Sequence, residues 1–565
     1  MLKRRHFIRY SSLLAGGVCL STALSGCSLN AARPRLPALR FTHGIASGDP
    51  LADAVMLWTR AVPVDGAAGE LEVGWELAED PDFRRPLRSG TAFTSAARDW
   101  TVKVDVRELA PGRDYYYRFS GAQGAGASGR TRTLPAGSPS QVRLAVFSCS
   151  NYPAGYFHAY REASRLADID AYLHLGDYLY EYGAGGYATE RAAELGRSLP
   201  ADNASELLSL DDYRRRYALY RSDADLQAVH AAGPMIVVWD DHEIANDSWR
   251  GGAQNHDPGE GDFQERRAAA VQAYFEWLPL RPPGPESEAQ IYRGFDFGDL
   301  LSLHMLDTRL VGRDRQLEYS HFMDADSGRM RRDELLAQLT DPRRSMLGDE
   351  QRQWLERRFR ESAGHWQVLG QQVLMARMSM PAQLLQTLFA GRDFAAAGRL
   401  IEELAALRAR AARGDTLSAV ARARLRSAMP YNLDAWDGYP AERERVYAMA
   451  RQSGRPLVVL SGDTHNAWYS QLRDRSGHAL GVEFATPGVS SPGMESYLDL
   501  GDPQARRLAA ALPQLIAELR YCELRRRGFM ELSFTREAVS SHWHFVDDVQ
   551  RRDYRMATHE ERYSA

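Results

Sequence analysis

The stretch His174-Leu-Gly-Asp-Tyr-Leu-Tyr180, entered from the apolar run Ala171-Tyr-Leu173, reads as a buried strand that stops at a carboxylate. The break sets Asp177 at the strand's carboxyl end, where open α/β sheets collect their ligands. Tyr180 follows three residues later, so on an emerging loop or first helical turn its oxygen and those of Asp177 can point the same way. Two anionic oxygens side by side favour a hard, highly charged cation. A phenol with an ordinary pKa of about 10 becomes a ligand near neutrality only under a strong Lewis acid, for which ferric iron is the usual choice. A turn carrying a half-buried tyrosine explains the same residues equally well, so the rest of the chain must decide.

The pattern repeats on both sides. Arg143-Leu-Ala-Val-Phe147 runs into Ser148-Cys-Ser-Asn151, and Pro234-Met-Ile-Val-Val238 into Trp239-Asp-Asp-His-Glu243. Leu300-Leu-Ser-Leu-His-Met-Leu306 runs into Asp307-Thr-Arg309, Trp366-Gln-Val-Leu369 into Gln371 and Gln372, and Pro456-Leu-Val-Val-Leu460 into Ser461-Gly-Asp-Thr-His-Asn466. Six buried strands that end this way, most with Asp, His, Cys or Asn at the tip, describe a polynuclear metal cleft. Helix capping would account for the Asp, Asn and Ser but needs neither histidine nor cysteine.

Upstream, short runs such as Ala54-Val-Met-Leu-Trp-Thr59, Trp100-Thr-Val-Lys-Val-Asp-Val106 and Tyr115-Tyr-Tyr-Arg-Phe119 alternate apolar and polar residues between turns. They predict a β-sandwich of immunoglobulin or fibronectin type III style over 39–136. No chemistry is expected there, because His43 and Asp49 fit a Gly-rich turn ahead of a strand. The catalytic domain is expected over 141–545, closing with a hairpin of Glu531-Leu-Ser-Phe-Thr535 and Val539-Ser-Ser-His-Trp-His-Phe545, with 546–565 as a tail. Polar, partly helical insertions at 189–227 and 251–283 and Ala/Leu/Arg-rich helices over 381–429 are of the kind that shapes a substrate cleft or packs over it, and the role of 381–429 stays open.

The whole chain has 565 residues, 44% hydrophobic and 25% charged, enough for two or more domains. A net charge of -4 gives no global attraction to nucleic acid, and the only lysines, Lys3 and Lys103, exclude a P-loop. Residues 1–27 read as a targeting segment: Arg4 and Arg5 form a twin-arginine pair, and Leu24-Ser-Gly-Cys27 resembles a lipobox in which Cys27 is acylated. The expectation is export of the folded chain by the twin-arginine translocase and a lipid-anchored, extracytoplasmic or periplasmic monomer, joined to its anchor by a tether over 28–38.

Taken together, Phe147-Ser-Cys-Ser-Asn-Tyr152, the run from His174 to Tyr182, Trp239-Asp-Asp-His-Glu243, Leu306-Asp-Thr-Arg309, Trp436-Asp-Gly-Tyr-Pro440 and Gly462-Asp-Thr-His-Asn466 resemble the PhoD-type alkaline phosphatases. Gly44-Ile-Ala-Ser-Gly-Asp49 and Trp58-Thr-Arg60 resemble that family's N-terminal domain. The resemblance implies an α/β (α+β) metallophosphoesterase fold of four layers, αββα, and a site with ferric iron and calcium. Carried over by position, Cys149, Asp177, Tyr180 and His465 would hold iron; Asp177 would bridge to calcium, completed by Asp463, Asp241 and Asn246. Related enzymes have Asn-His where this chain has Asp241-His242, so that carboxylate is either a ligand or the partner of one, and Asp240 beside it competes for the role. The implied reaction is hydrolysis of phosphomonoesters or phosphodiesters, those of lipid or wall polymers included, by a metal-activated water. His242 would hydrogen-bond the transition state or protonate the leaving group, Arg309 beside Asp307 would bind phosphate, and Trp436, Asp437 and Tyr439 would wall the pocket.

Other classes fit less well. No Gly-X-Ser-X-Gly elbow occurs, which disfavours a serine hydrolase. A non-enzymatic calcium-binding surface lipoprotein leaves Cys149, Tyr180 and His465 unexplained. A disulfide between Cys149 and Cys522 is the competing use of the first cysteine and excludes the iron role.

Overall fold

Val142–Phe147, Ala171–His174 and Pro234–Val237 are buried along their whole length, as runs without polar alternation must be when both faces of a sheet are covered. They pair in parallel at the centre of a nine-stranded sheet. Leu301–Met305, Trp366–Gly370 and Leu457–Ser461 do the same in a seven-stranded sheet, with Ala479–Ala485 as a fourth parallel member. The six expected strands all form, and their polar tips gather at one end of the two sheets. The computed structural model describes residues 36–564, except 65, 67, 68, 284–288, 325, 328, 392 and 393 and the side chains of 388–391, 394 and 395. The expected targeting segment, Cys27 and most of the expected tether lie outside the described residues.

The two sheets pack face to face through one core to which both contribute, including Val146, Leu173, Val368 and Val458. Indole groups tie the layers as well as filling them: Trp543 Nε1 donates to the Ala485 carbonyl at 2.9 Å and Trp366 Nε1 to that of Thr535 at 2.7 Å. Helices His158–Ser164 and Ala224–Ala232 cover the outside of the larger sheet, and Gly348–Glu361 and Pro440–Ser453 pack beside the smaller. The insertion at 381–429 forms helices Ala382–Gly391, Phe394–Ala412 and Ala419–Arg426.

Two expectations need correction. The N-terminal sandwich is real but not self-contained. Its four-stranded sheet packs on Ile45–Gly48, Val55–Arg60 and Thr101–Val106, and those three strands continue the nine-stranded sheet. The joint is Ile45–Gly48, which pairs in parallel with Pro234–Val237 at only two positions, Ser47 with Met235's neighbour Pro234 and Gly48 with Met235. So short and Gly-bearing a pairing carries no periodic signature. Side chains reinforce it: buried Asp49 accepts from Arg293 Nε at 2.9 Å, Arg293 Nη2 at 2.7 Å and the Arg281 N–H at 2.8 Å. Asp49 thus sits in the turn after Ile45–Gly48, with φ of 42°, and anchors the joint as well, while His43 packs edge-on against Trp277.

The expected tail is also part of the sheet, because Met556–Tyr563 pairs antiparallel with Val539–Val546 over eight positions. This edge strand faces solvent, so its sequence, Met556-Ala-Thr-His-Glu-Glu-Arg-Tyr563, lacks the apolar alternation that marks an interior strand, and its charges suit an unpaired edge.

Asp49→Ala removes the acceptor of three N–H groups at the joint. Urea unfolding should remain one cooperative transition and lose on the order of 3 kcal/mol, the usual cost of breaking a buried pair. Two separated transitions, or a loss well under 1 kcal/mol, would show that the sandwich folds independently of the catalytic sheet.

Candidate metal centre

Three of the six strand tips turn the chain back into the cleft through left-handed residues. Cys149, Asp177, Asp463 and His465 have φ of 59°, 54°, 62° and 60°, a region that costs a non-glycine residue roughly 1–2 kcal/mol. Gly176, with φ of +109°, lets the second loop pass against the backbone and Cβ of Asp240, where a side chain would collide.

The loops are laced together. Cys149 N–H donates to the Gly176 carbonyl at 3.2 Å, and Ser150 N–H to that of Asp177 at 2.9 Å. Buried Glu243 accepts the N–H groups of Asp177, Tyr178 and Asp240 at 3.0, 2.5 and 2.8 Å, so one carboxylate fixes two of the loops. Burial, and then the charge of Asp177, push its pKa up to about 8.

Cys149, Asp177 and His465 bring a sulfur, an oxygen and a ring nitrogen within 4.8 Å of one another. Tyr180 joins them, its Oη 3.0 Å from Asp177 Oδ2 and 3.2 Å from His465 Nε2, with Ser491 Oγ donating to it at 2.7 Å. On the other ring nitrogen, His465 Nδ1 lies 2.5 Å from the Pro492 carbonyl, which fixes the ring and leaves Nε2 facing the cluster. A second group, Asp177, Asp241 and His242, also falls within 4.8 Å, and Asp177 belongs to both.

The electrostatics of these residues call for a cation. Burial raises the Cys149 thiol and the Tyr180 phenol well above their ordinary values, and in both the charge of Asp177 adds to the effect. Asp177 Oδ1 is buried without a hydrogen-bond partner. Thiolate, phenolate, imidazole and carboxylate on one side suit a trivalent iron, and the Asp177 and Asp241 carboxylates on the other suit a hard divalent ion. Cys149 and Cys522 are both free, so no bridge takes the first thiol; Cys522 lies across from Trp468 on an edge strand, its Sγ 3.3 Å from the Ala509 carbonyl.

Other predicted residues have different surroundings. Asp241 accepts the Asp247 N–H at 2.6 Å; burial would raise its carboxyl, but the charges of Arg309 and His242 hold it below the usual range. Asp240 pairs with Arg309 Nε, and burial drives its carboxyl up. Arg309 is fully buried and its guanidinium is spent on carboxylates: Nε on Asp240, Nη1 on both oxygens of Asp434 at 3.0 and 2.8 Å, and Nη2 on Asp463 at 3.1 Å. It is a counter-charge for the acidic side rather than an open phosphate clamp. Asp307 serves it by accepting the Arg309 and Leu310 N–H groups at 2.8 Å. Asn246 is half-buried and its Nδ2 donates to Gln254 at 2.9 Å, so it stands at the rim.

Trp436, Asp437 and Tyr439 do not wall the cleft. Trp436 Nε1 donates to Gln371 at 3.1 Å, Asp437 accepts from Arg443 at 2.6 Å and Tyr439 Oη donates to the Asp314 carbonyl at 2.6 Å. This motif pins a loop into the core, and what it delivers to the site is Asp434, two residues ahead of it. Glu181 was also missed: its Oε2 lies 2.7 Å from His242 Nδ1, while Oε1 accepts the Asn246 N–H at 2.7 Å. Glu181 and Glu243 sat inside quoted motifs and lacked only a partner to reveal them.

The family described as PhoD-like phosphatase matches residues 144–543, and the PhoD-like phosphatase N-terminal domain matches 26–135. Alkaline phosphatase D of Bacillus subtilis (strain 168) is 35% identical over 514 residues, 87% of this chain and 76% of that protein. The solved structure of PhoD superposes with a TM-score of 0.73 at 30% identity, covering 94% of this chain and 92% of that one.

Glu243→Gln keeps the shape but offers one acceptor where three N–H groups converge. Thermal unfolding should show a loss of about 1–3 kcal/mol, with reduced metal retention on dialysis. An unchanged melting temperature and metal content would remove Glu243 as the strut of the centre.

Proposed function

Because the chain belongs to the PhoD-like phosphatase family and is a phosphoric ester hydrolase, we propose that it works through ferric iron held by Cys149, Asp177, Tyr180 and His465, with calcium on the Asp177, Asp241, Asp463 and Asn246 side. The observation that carries this reading is the meeting of a buried thiol, phenol, imidazole and carboxylate from three strand tips, three of the four on left-handed backbone. No packing role needs that set of atoms. When bound, the metals supply Lewis acidity that lowers the pKa of water and neutralises charge on the phosphoryl oxygens.

The chain's own groups do the rest. Hydrolysis adds a water oxygen to phosphorus, breaks the ester P–O bond and returns a proton to the departing oxygen. His242 is the donor we assign to that last step: Glu181 accepts from Nδ1 at 2.7 Å, the Tyr180 ring packs against it tilted by 32° with 4.2 Å between centroids, and Nε2 is left for the leaving group. Arg309 acts on the carboxylates and not on substrate, restraining Asp240, Asp434 and Asp463 so that the acidic side stays assembled.

The test is turnover of paired aryl phosphomonoesters and phosphodiesters at alkaline pH, alongside elemental analysis. Iron and calcium should both be present, and the resting protein should show a broad visible phenolate-to-iron band. Tyr180→Phe should stay folded, since a structural hydroxyl is worth only about 1 kcal/mol, while losing the band and most of the turnover. A Phe variant with full colour, iron and rate would refute the ferric assignment, and a metal-replete protein that cleaves neither ester would favour a calcium-binding lipoprotein instead.

We also propose export by the twin-arginine translocase with an acyl anchor at Cys27, from the motif at Arg4, Arg5 and Leu24-Ser-Gly-Cys27. Replacing both arginines with lysine should hold precursor in the cytoplasm, and Cys27→Ala should release the protein from the membrane fraction. Normal processing and membrane attachment after both changes would refute it.

A further inference from the structure

A cavity of about 670 Å³ adjoins the centre and has no part in the chemistry above. Asp247, Asp434 and Tyr497 are among the residues that line it. Each is tied to the site: Asp247 N–H donates to Asp241, Asp434 shares Arg309 with Asp463, and Tyr497 Oη donates at 2.8 Å to Tyr187, whose Oη lies 3.3 Å from His465 Nδ1. Most of the rest of the lining is apolar, with buried Met380, Leu384, Ile401, Leu508 and Leu512 among its residues. Leu384 and Ile401 come from the helical insertion at 381–429, whose purpose the sequence left open, and Leu508 and Leu512 from helix Asp502–Leu515.

The character of the lining narrows the occupant. Among the described residues no arginine, lysine or histidine lines the cavity, and its charged members, Asp247, Glu318 and Asp434, are acidic. A second phosphate, or a polyanionic chain running on from the scissile one, would meet repulsion there. Four methionines, Met323, Met330, Met380 and Met494, make the wall adaptable, which suits a flexible chain better than a rigid ring. Protein interiors are otherwise close-packed, and the volume is that of a small-molecule site.

We propose that this cavity is the subsite for an unbranched aliphatic chain carried by the phosphoester, so that single-chain amphiphilic phosphodiesters are preferred over short or polyanionic ones. The proposal rests on the phosphoester reading above and adds the substituent that the site selects.

Full-length, metal-replete protein should be assayed on p-nitrophenyl alkyl phosphodiesters from methyl to octyl, each below its critical micelle concentration. We expect kcat/KM to rise by about fourfold per methylene, the ratio equivalent to ~0.8 kcal/mol, and then to level off as the cavity fills. Calorimetric titration with alkylphosphonates of the same lengths should show a parallel rise in affinity, and it reads the cavity even without turnover. Leu384→Gln, with Met323→Gln as a second, half-buried variant, should bring the octyl-to-methyl ratio toward one while the melting curve stays cooperative. A flat series in both assays, a rise seen only above the micelle concentration or on vesicles, or ratios unmoved by either variant would overturn the subsite. Absence of all turnover with the phosphonate series intact would instead sink the phosphoester reading and leave the subsite standing.

Discussion

Five carboxylates, those of Asp177, Asp240, Asp241, Asp434 and Asp463, converge at the mouth of two sheets, and the basic groups set against them are few. Arg309 touches Asp240, Asp434 and Asp463 and lies 3.7 Å from Asp241; Arg313 adds to Asp434; His242 neighbours Asp241. Asp177 has no arginine, and one of its oxygens has no partner at all. Like charges this close in a low dielectric repel by several kcal/mol unless cations intervene. The strained tips, the Glu243 strut and the fully buried Arg309 all read as means of holding an acidic cluster open for such cations.

The same constraint explains the division of labour between the sheets. Cys149, Asp177 and Asp241 come from tips of the nine-stranded sheet, and Asp463 and His465 from the seven-stranded one, so the centre exists only when both are docked. The docking surface is a shared apolar core, and the N-terminal strands extend one of its walls. An Asp49 anchor 2% exposed, far from the chemistry in sequence, thus belongs to the scaffold on which the tips are aligned.

How far the chain could be read depended on whether a residue declares itself locally. Parallel strands buried on both faces are uninterrupted apolar runs, so the strand tips that carry Cys149, Asp177, Tyr180 and His465 were legible as a polar cleft, while their grouping into one ligand set came only from the family resemblance. Arg309 was legible as important and misread in role, because its partner Asp434 lies 125 residues on, in a loop whose visible signature is the neighbouring aromatic anchor. Glu181 and Glu243 act on groups 61 to 66 residues away and have no periodic mark. The Ile45–Gly48 joint and the Met556–Tyr563 edge strand escaped for a related reason: a two-position pairing and a solvent-facing edge impose almost no pattern on sequence.

The claim on which the account stands is that Cys149 Sγ, rather than packing as an inert buried thiol, binds an iron with Asp177, Tyr180 and His465. Iron K-edge X-ray absorption on protein purified without added metal measures this directly. The account predicts one sulfur scatterer among oxygen and nitrogen neighbours in the iron's coordination, absent in Cys149→Ser and retained in Cys522→Ser. A spectrum with no sulfur contribution in the unmodified protein, or one unchanged by Cys149→Ser, would contradict it.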